Sequence, residues 1–570
     1  MEKVKSDNRI LFTAGAIAGA LIFIIIYGIG VLDCNNDGWL FHTERDLAQH
    51  YIGWCHYRNS VWQFPLGLIE TLSYPRAMSV IYTDSIPLFA VVFKLFGAYL
   101  PTHFQYFGLY GILSFALSGG TAAVLMRRFI GNPIAAFISS LFLTVSFPIL
   151  QRMYYHTALA SHWIIFLCLI LYVYHDIDDK FYKRVICWGS VGFLCVAIHS
   201  YFLPIAGMIM AADLVTDFLK RYYGTDNNGL PAKSYAARII AGEVLVLISF
   251  CATALLNLYL LGGFYGDADA YGPGLGSFGS NLNTFINPID MGRLMPRLPL
   301  FYDFQYEGFG YVGAGILFLF AVCALLLIFA KWSKNEKVPV HSNRIYGRVG
   351  AGLFVVSWMA ATLPLLSFND VKIIWIPYIR PIERILGIFR SNGRFIWVAM
   401  YILMIFALAL VSHVLEKQRW PLVALLAVAL AIQITDESSM VLSKREYFIP
   451  RHEYASVWEQ DELKEQIQDK ECFVYLYNDN DITLDSAYYC YLSGMYQNNF
   501  YFARDVDEAV NTDITMYEAE LANGVIRDNA VYVLKKEQYE ADRQFWEALD
   551  VRTFEIDEEH MGFTKVSENR

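Results

Sequence analysis

Eleven stretches of mostly apolar side chains recur along the chain, and they limit how it can fold more than any other feature. They lie at 10–32, 104–126, 133–150, 158–174, 186–198, 202–218, 239–261, 311–330, 349–366, 395–412 and 420–434. In a bilayer every backbone N–H and C=O must be satisfied inside its own segment, so such stretches are read as helices that cross the membrane. The two shortest, at 186–198 and 202–218, are separated by His199-Ser-Tyr-Phe-Leu-Pro204. Lys220, Arg221, Lys233 and Arg238 follow them, which favours two crossings over one kinked helix. A chain that is 56% hydrophobic and 17% charged fits a multi-span protein carrying a soluble piece.

Charge sets the expected orientation. Lys3, Lys5 and Arg9 precede the first stretch, which starts the chain inside. Of the 31 basic residues before position 441, 19 fall in segments that eleven crossings place inside. No small-residue cleavage site follows the first stretch, so it is expected to stay as a signal anchor. The first 440 residues carry a balance of +5, whereas 441–570, with 13 basic and 28 acidic residues, carry −15. An acidic tail on the outer side argues against binding nucleic acid. Within it, 472–477 and 530–534 read as buried strands, and 537–549 as a helix with Phe545 and Trp546 available for packing. The expected division is a membrane domain over 1–440, with a loop at 33–103 inside it, and an α/β domain over 441–570.

The loop at 33–103 is far longer than a connection needs to be. Its centre, Phe41-His-Thr-Glu-Arg-Asp-Leu-Ala-Gln-His-Tyr-Ile-Gly-Trp54, starts a helix on which Asp46, His50 and Trp54 share a face. Asp46 is either the reciprocal partner of a Thr43 cap or a carboxylate that serves as general base or cation ligand. Ile86 to Gly97 is apolar but too short to cross and carries Lys94, so it is read as a helix on the outer membrane surface. Asp84, just before it, is a cap or a functional acid.

Further candidates sit at the outer ends of later stretches. His156 and His199 are either hydrogen-bonded helix ends or, with His50, the lining of a common cleft. Glu307, in Gln305-Tyr-Glu-Gly-Phe309, either caps the next helix or holds a hydroxyl or metal. Arg390-Ser-Asn-Gly-Arg394 places two guanidiniums around a glycine turn at a helix start, which suits a phosphate. Cys34 with Cys55, and Cys472 with Cys490, could each close a disulfide or remain as thiols. No P-loop, dinucleotide fingerprint, nucleophile elbow or HExxH is present, and no Cys/His spacing is diagnostic for zinc.

Four pieces in this order resemble membrane glycosyltransferases of the GT-C fold. They are Thr43-Glu-Arg-Asp-Leu-Ala-Gln-His-Tyr51 with Trp62-Gln-Phe-Pro-Leu-Gly67; Asp84-Ser-Ile-Pro-Leu-Phe-Ala-Val-Val-Phe-Lys-Leu-Phe-Gly97; Arg127-Arg-Phe-Ile-Gly131; and Phe389-Arg-Ser-Asn-Gly-Arg-Phe395. The similarity is to a bacterial GT-C-like family and, more distantly, to the protein O-mannosyltransferase and aminoarabinose-transferase group. It covers 33–395 and leaves the tail outside.

With the pattern of stretches, the expected fold is a polytopic α-helical membrane protein of about eleven transmembrane helices with a small extracytoplasmic C-terminal α/β domain, and the resemblance implies that the membrane part is GT-C-like. It also implies a bacterial cytoplasmic membrane and transfer of a sugar from a polyprenyl-phosphate-linked donor to an envelope glycan or lipid, with inversion. Asp46 takes the place of the family's first-loop acid, with Glu44 second. Lys94, Arg390 and Arg394 would hold the carrier phosphate; His50, Asp84, His156, His199 and Glu307, singled out above by their own setting, are the remaining candidates for substrate binding. His156 stands where mannosyltransferase-like relatives often carry an acid, so no cofactor is expected and a divalent metal is not favoured. Two other readings are a non-catalytic lipid or polysaccharide transporter, which would favour charges within spans, and an accessory GT-C scaffold.

Overall fold

The computed structural model describes residues 2–41, 45–174, 181–223, 236–266, 272, 274–332, 344–479, 482–504 and 506–566. It separates into two compact units. One holds Met1–Asp33, Tyr106–Leu255 and Tyr271–Pro450; the other holds Cys34–Gln105, Leu256–Ala270 and Arg451–Arg570. The loop expected at 33–103 therefore shares a unit with the tail.

The first unit is helical. Among the described residues of the chain, eight helices are long and apolar enough to cross a membrane: Asp7–Tyr27, Phe107–Phe129, Phe181–Ile198, Phe202–Tyr223, Ala237–Leu260, Ile345–Thr362, Asn392–Val414 and Arg419–Phe448. Three shorter apolar helices, Pro133–Thr144, Thr157–Val173 and Ala314–Leu326, stand where the other three stretches were expected. The stretches at 186–198 and 202–218 form two separate helices. That at 133–150 does not form one. Asn132 caps its start through Ile134 N at 3.0 Å and Ala135 N at 3.3 Å, and Pro133 fits the first turn. The helix then stops at Thr144, and a second one, Phe147–Arg152, begins around Pro148.

Close packing of the first helix depends on small residues. A Cβ on Gly119 would lie 2.1 Å from the Gly15 carbonyl oxygen, and one on Gly15 would lie 2.3 Å from that of Gly119. Gly15 and Gly19, four apart, let two backbones touch, as small-xxx-small pairs do in membranes.

Two departures from the sequence reading matter for the site. The residues after Thr362 leave the helix for a β-hairpin, Leu365–Phe368 paired with Val371–Trp375, followed by the helix Arg380–Gly387. Charges also occur within helices, not only in loops. Arg184 meets Asp213 at 2.9 Å, Asp217 at 3.2 Å and Glu243 at 2.7 Å.

The second unit joins the helix Arg45–Asn59 and the hairpin Leu68–Ser73/Arg76–Ser79 to the tail. The tail sheet runs Tyr496–Gln497, Cys472–Tyr475, Ala530–Lys535, His560–Lys565, Val551–Glu555; its first three strands are parallel and the rest antiparallel. Alternation divides the core. Phe473, Tyr475 and Tyr477 pack with Cys490 on one side, while Cys472, Val474 and Leu476 pack with Tyr517 and Leu521 on the other. Cys472 and Cys490 thus belong to opposite faces, and neither they nor Cys34 and Cys55 form a disulfide. The helix expected at 537–549 is two short ones, Lys536–Ala541 and Arg543–Ala548; Trp546 packs against Phe563 whereas Phe545 is exposed.

Candidate functional site

In the second unit, the helix Arg45–Asn59 carries Asp46 in its first turn and His50 one turn later on the same face. Thr43 and Glu44 lie outside the described residues. Asp46 is half-buried and accepts a hydrogen bond from the Tyr501 hydroxyl at 3.0 Å. His50 is buried, and one of its ring nitrogens lies within 4.8 Å of an Asp84 carboxylate oxygen.

Asp84 is not a cap of the following helix. Ile86 occupies the position before Pro87, with no side-chain hydrogen bond. Asp84 and Ile86 both have positive φ, 50° and 53°, which for a β-branched residue is a strained backbone. Ser85 holds this turn in place, donating to the His50 carbonyl at 2.7 Å. Trp54 is no open stacking platform: it is fully buried, and its indole donates to Phe104 O at 3.0 Å.

Lys94 is also turned inward. It is 4% exposed, with its ammonium 4.1 Å from the Tyr57 ring centre and 4.7 Å from that of Trp62. Burial pushes its pKa down to about 8, partly offset by Glu70.

In the first unit the polar centre is Glu307. The turn Asp303–Gly308 holds it, and that turn is fixed by a dense network. Ser280 and Thr284 donate to Gly308 O at 2.9 and 2.7 Å, and Gln305 accepts from Asn281 at 3.0 Å. Gly308 is required here, since a Cβ would lie 2.4 Å from Ser280 Cα. Opposite it, Asn392 donates to the carbonyls of Ala360 and Leu363 at 2.9 and 2.8 Å, which sets the turn carrying Arg394.

Two guanidiniums converge on the Glu307 carboxylate. Arg152 Nη2 and Arg394 Nε donate to its Oε2 at 2.8 and 2.7 Å. All three side chains are buried, and Arg394 also lies 4.3 Å over the Tyr201 ring. Burial raises the Glu307 pKa, but Arg152, Arg394 and, more weakly, His156 outweigh it and hold the carboxyl well below the usual range. Two guanidiniums thus share one carboxylate. The Arg152 Nε is buried with no hydrogen-bond partner among the described residues.

The expected pairing of Arg390 with Arg394 is not what forms. Arg394 faces Glu307, whereas Arg390 is exposed and lies 5.4 Å over the Phe278 ring. His156 is half-buried beside Arg152, its backbone N–H donating to the Arg152 carbonyl at 2.9 Å. His199 accepts from Tyr201 N at 3.2 Å, as a helix-end residue does. Arg152 is the residue that sequence reasoning missed. Its only signal is a lone arginine at the end of an apolar stretch, before Tyr154, Tyr155 and His156. A buried relay lies deeper, with His162 Nδ1 2.6 Å and Ser146 Oγ 2.8 Å from the Tyr401 hydroxyl.

These features define a multi-pass membrane protein with a buried, cation-rich polar centre and a mixed α/β tail. Residues 16–438 match the family model described as Domain of unknown function (DUF6311), and 465–563 match the DUF6311 C-terminal domain; the chain belongs to this family. No curated protein matches it in sequence. Among solved structures it is similar to the Archaeoglobus fulgidus oligosaccharyltransferase in the apo form, at 11% identity and TM-score 0.45, covering 92% of this chain and 70% of that one. The same archaeal enzyme in complex with Zn and sulfate gives 10% identity and TM-score 0.40, covering 92% and 68%. ArnT from Cupriavidus metallidurans in the apo state gives 13% identity and TM-score 0.42, covering 96% and 98%.

Proposed function

We propose that the chain is an integral-membrane glycosyltransferase of the GT-C type. It moves a sugar from a polyprenyl-phosphate-linked donor to an envelope glycan or lipid on the extracytoplasmic side of a bacterial cytoplasmic membrane. The observation that carries this reading is the Arg152–Glu307–Arg394 cluster. Two buried guanidiniums sharing one carboxylate suit an anionic group, and the Arg152 Nε–H, buried with no hydrogen-bond partner among the described residues, supplies a donor for one.

A sugar on a phosphate carrier is already activated, so the enzyme must stabilise charge developing on the leaving phosphate and take a proton from the acceptor hydroxyl. Arg152 and Arg394, held in place by Glu307, serve the first need. Asp46 is assigned the second as general base, a role that rests on the first-loop resemblance. No cofactor is assigned and no metal is favoured.

The test uses membrane vesicles and a panel of radiolabelled polyprenyl-phosphate sugars, with and without chelator. Transfer by the wild type that is lost in both Asp46→Asn and Arg394→Ala, with the proteins intact, supports the assignment. Full activity in Asp46→Asn removes the base. Chelator-sensitive transfer would put a metal in the scheme.

Transport is the second reading, and one observation favours it: the Arg184, Asp213, Asp217 and Glu243 cluster within helices. Movement of labelled carrier lipid across vesicles without sugar transfer would select it.

A further inference from the structure

The segment from Leu365 to Gly387 is built unlike a loop in water. In a strand, successive side chains face opposite sides, so one face of a two-stranded hairpin ordinarily packs on something. Every residue of the strand Val371–Trp375 is exposed, and Ile373 is 53% exposed. The apolar series continues through Ile376 and Ile379, the latter 67% exposed, to Ile382. Leu365 and Ser367 of the partner strand are buried, so the hairpin is anchored along that strand, and both faces of Val371–Trp375 are left for a covering outside the described chain.

The charges around it say what covers it. Lys372, Arg380, Arg384 and Arg390 are all exposed, against only Asp370 and Glu383 between 369 and 390. Arg380 and Arg384 fall one turn apart on one side of the helix Arg380–Gly387, and Ile382 and Leu386 one turn apart on another. Trp375 and Tyr378 add the aromatic residues that favour the headgroup level of a bilayer.

Tethering limits where the segment can be. It leaves the candidate span Ile345–Thr362 three residues before Leu365, and its last helix ends five residues before the span Asn392–Val414. A strip held at both ends by membrane helices, with an exposed, mostly apolar outer strand and two arginines along one side of its helix, fits the border between acyl chains and acidic headgroups.

We propose that Leu365–Gly387 is a membrane-interface element that docks on anionic phospholipid headgroups. Its isoleucines and Trp375 enter the acyl border, and Lys372, Arg380 and Arg384 meet the lipid phosphates. This does not depend on the transferase reading.

The test is hydrogen–deuterium exchange on the purified full chain in nanodiscs of phosphatidylcholine alone or mixed with phosphatidylglycerol. Peptides over 368–387 should exchange about tenfold more slowly in the anionic discs. The triple variant Lys372→Gln, Arg380→Gln, Arg384→Gln should lose that difference while the flanking helices keep their protection. A parallel measurement follows Trp375 directly: brominated lipids should quench less total fluorescence in Trp375→Phe than in the wild type. Equal exchange in both lipids, or a difference that survives the triple substitution, would overturn the proposal. So would protection that disappears in discs holding one chain instead of two, since a second copy would then be the cover.

Discussion

The Tyr501 hydroxyl donates to Asp46 Oδ1 at 3.0 Å, joining residues 455 positions apart. The tail thus reaches the carboxylate assigned as base. Its grip is double-sided, because Gln49 donates to the Tyr501 carbonyl at 2.7 Å and Ala503 N donates to Tyr82 O at 2.8 Å. Tyr501→Phe removes only the hydroxyl. Hydrogen bonds to charged groups contribute roughly 1.5–3 kcal/mol, so transfer should fall about tenfold or more. The fall should be in kcat with donor KM unchanged, and the substitution should have little further effect on the residual rate of Asp46→Asn. Independent, multiplying effects of the two changes would mean that Tyr501 does not act through Asp46.

Glu307 should govern stability as well as chemistry. Removing one partner from a buried ion pair leaves the other charge uncompensated, at a cost of about 3–5 kcal/mol. Arg152→Ala should therefore lower the melting temperature in detergent well beyond what Arg390→Ala does, since Arg390 is exposed. The pH dependence has a definite sign. The folded pKa of Glu307 is depressed, so its contribution is complete above the unfolded carboxyl value of about 4.3 and is lost only as pH falls below it. Between about pH 5 and 8 this group should leave the melting temperature flat.

His56 should behave differently. Its Nε2 is 2.7 Å from Ala487 O and its Nδ1 2.7 Å from Thr71 Oγ1, which suits the neutral ring with the proton on Nε2. Burial lowers its pKa to about 4, against a smaller opposing pull from the Ala487 carbonyl. The stability this provides is full above the unfolded value of about 6.5 and disappears as pH falls toward the folded one. Melting measured at about pH 7 and about pH 5 should show a drop in the wild type that His56→Gln lacks. An equal drop in both would assign the acid sensitivity elsewhere.

Gly119 offers a test of the helix packing. Any side chain there meets the Gly15 carbonyl, so Gly119→Ala should destabilise by about 1–3 kcal/mol, the usual range for overpacking. Gly131→Ala, with nothing within 4 Å of its Cβ, is the control and should melt like the wild type.

Much of the architecture was legible because apolar length is a local property. Each of the eleven stretches has a helix in its place, as do the strands at 472 and 530. What could not be read depends on meetings between distant residues. Arg152 and Arg394 look alike in the sequence as arginines at helix ends, and only their convergence on Glu307, 155 and 87 residues away, marks them as one cluster. Arg390 appeared equivalent to Arg394 because a four-residue spacing says nothing of which side chain a short turn directs inward. Lys94 was placed on a surface helix because the apolar run 86–97 is too short to cross, yet the aromatic rings beside it come from Tyr57 and Trp62, outside that helix. The hairpin at 365–375 was hidden because its first two residues, Leu365 and Leu366, read as the end of a span and the rest as an outside loop.

The shared unit of Cys34–Gln105 and Arg451–Arg570 has a consequence for how the protein is made. A ribosome releases the first loop long before the tail, and Asp46, Gln49, His56 and Arg76 each have a partner encoded after position 486. Throughout synthesis of the intervening helices that loop must wait with those contacts unmade, exposed to misfolding and to proteases. A truncated chain could therefore insert its helices in the bilayer while leaving the Asp46 helix without its closing contacts. Completion of the last hundred residues acts as the step that licenses the first.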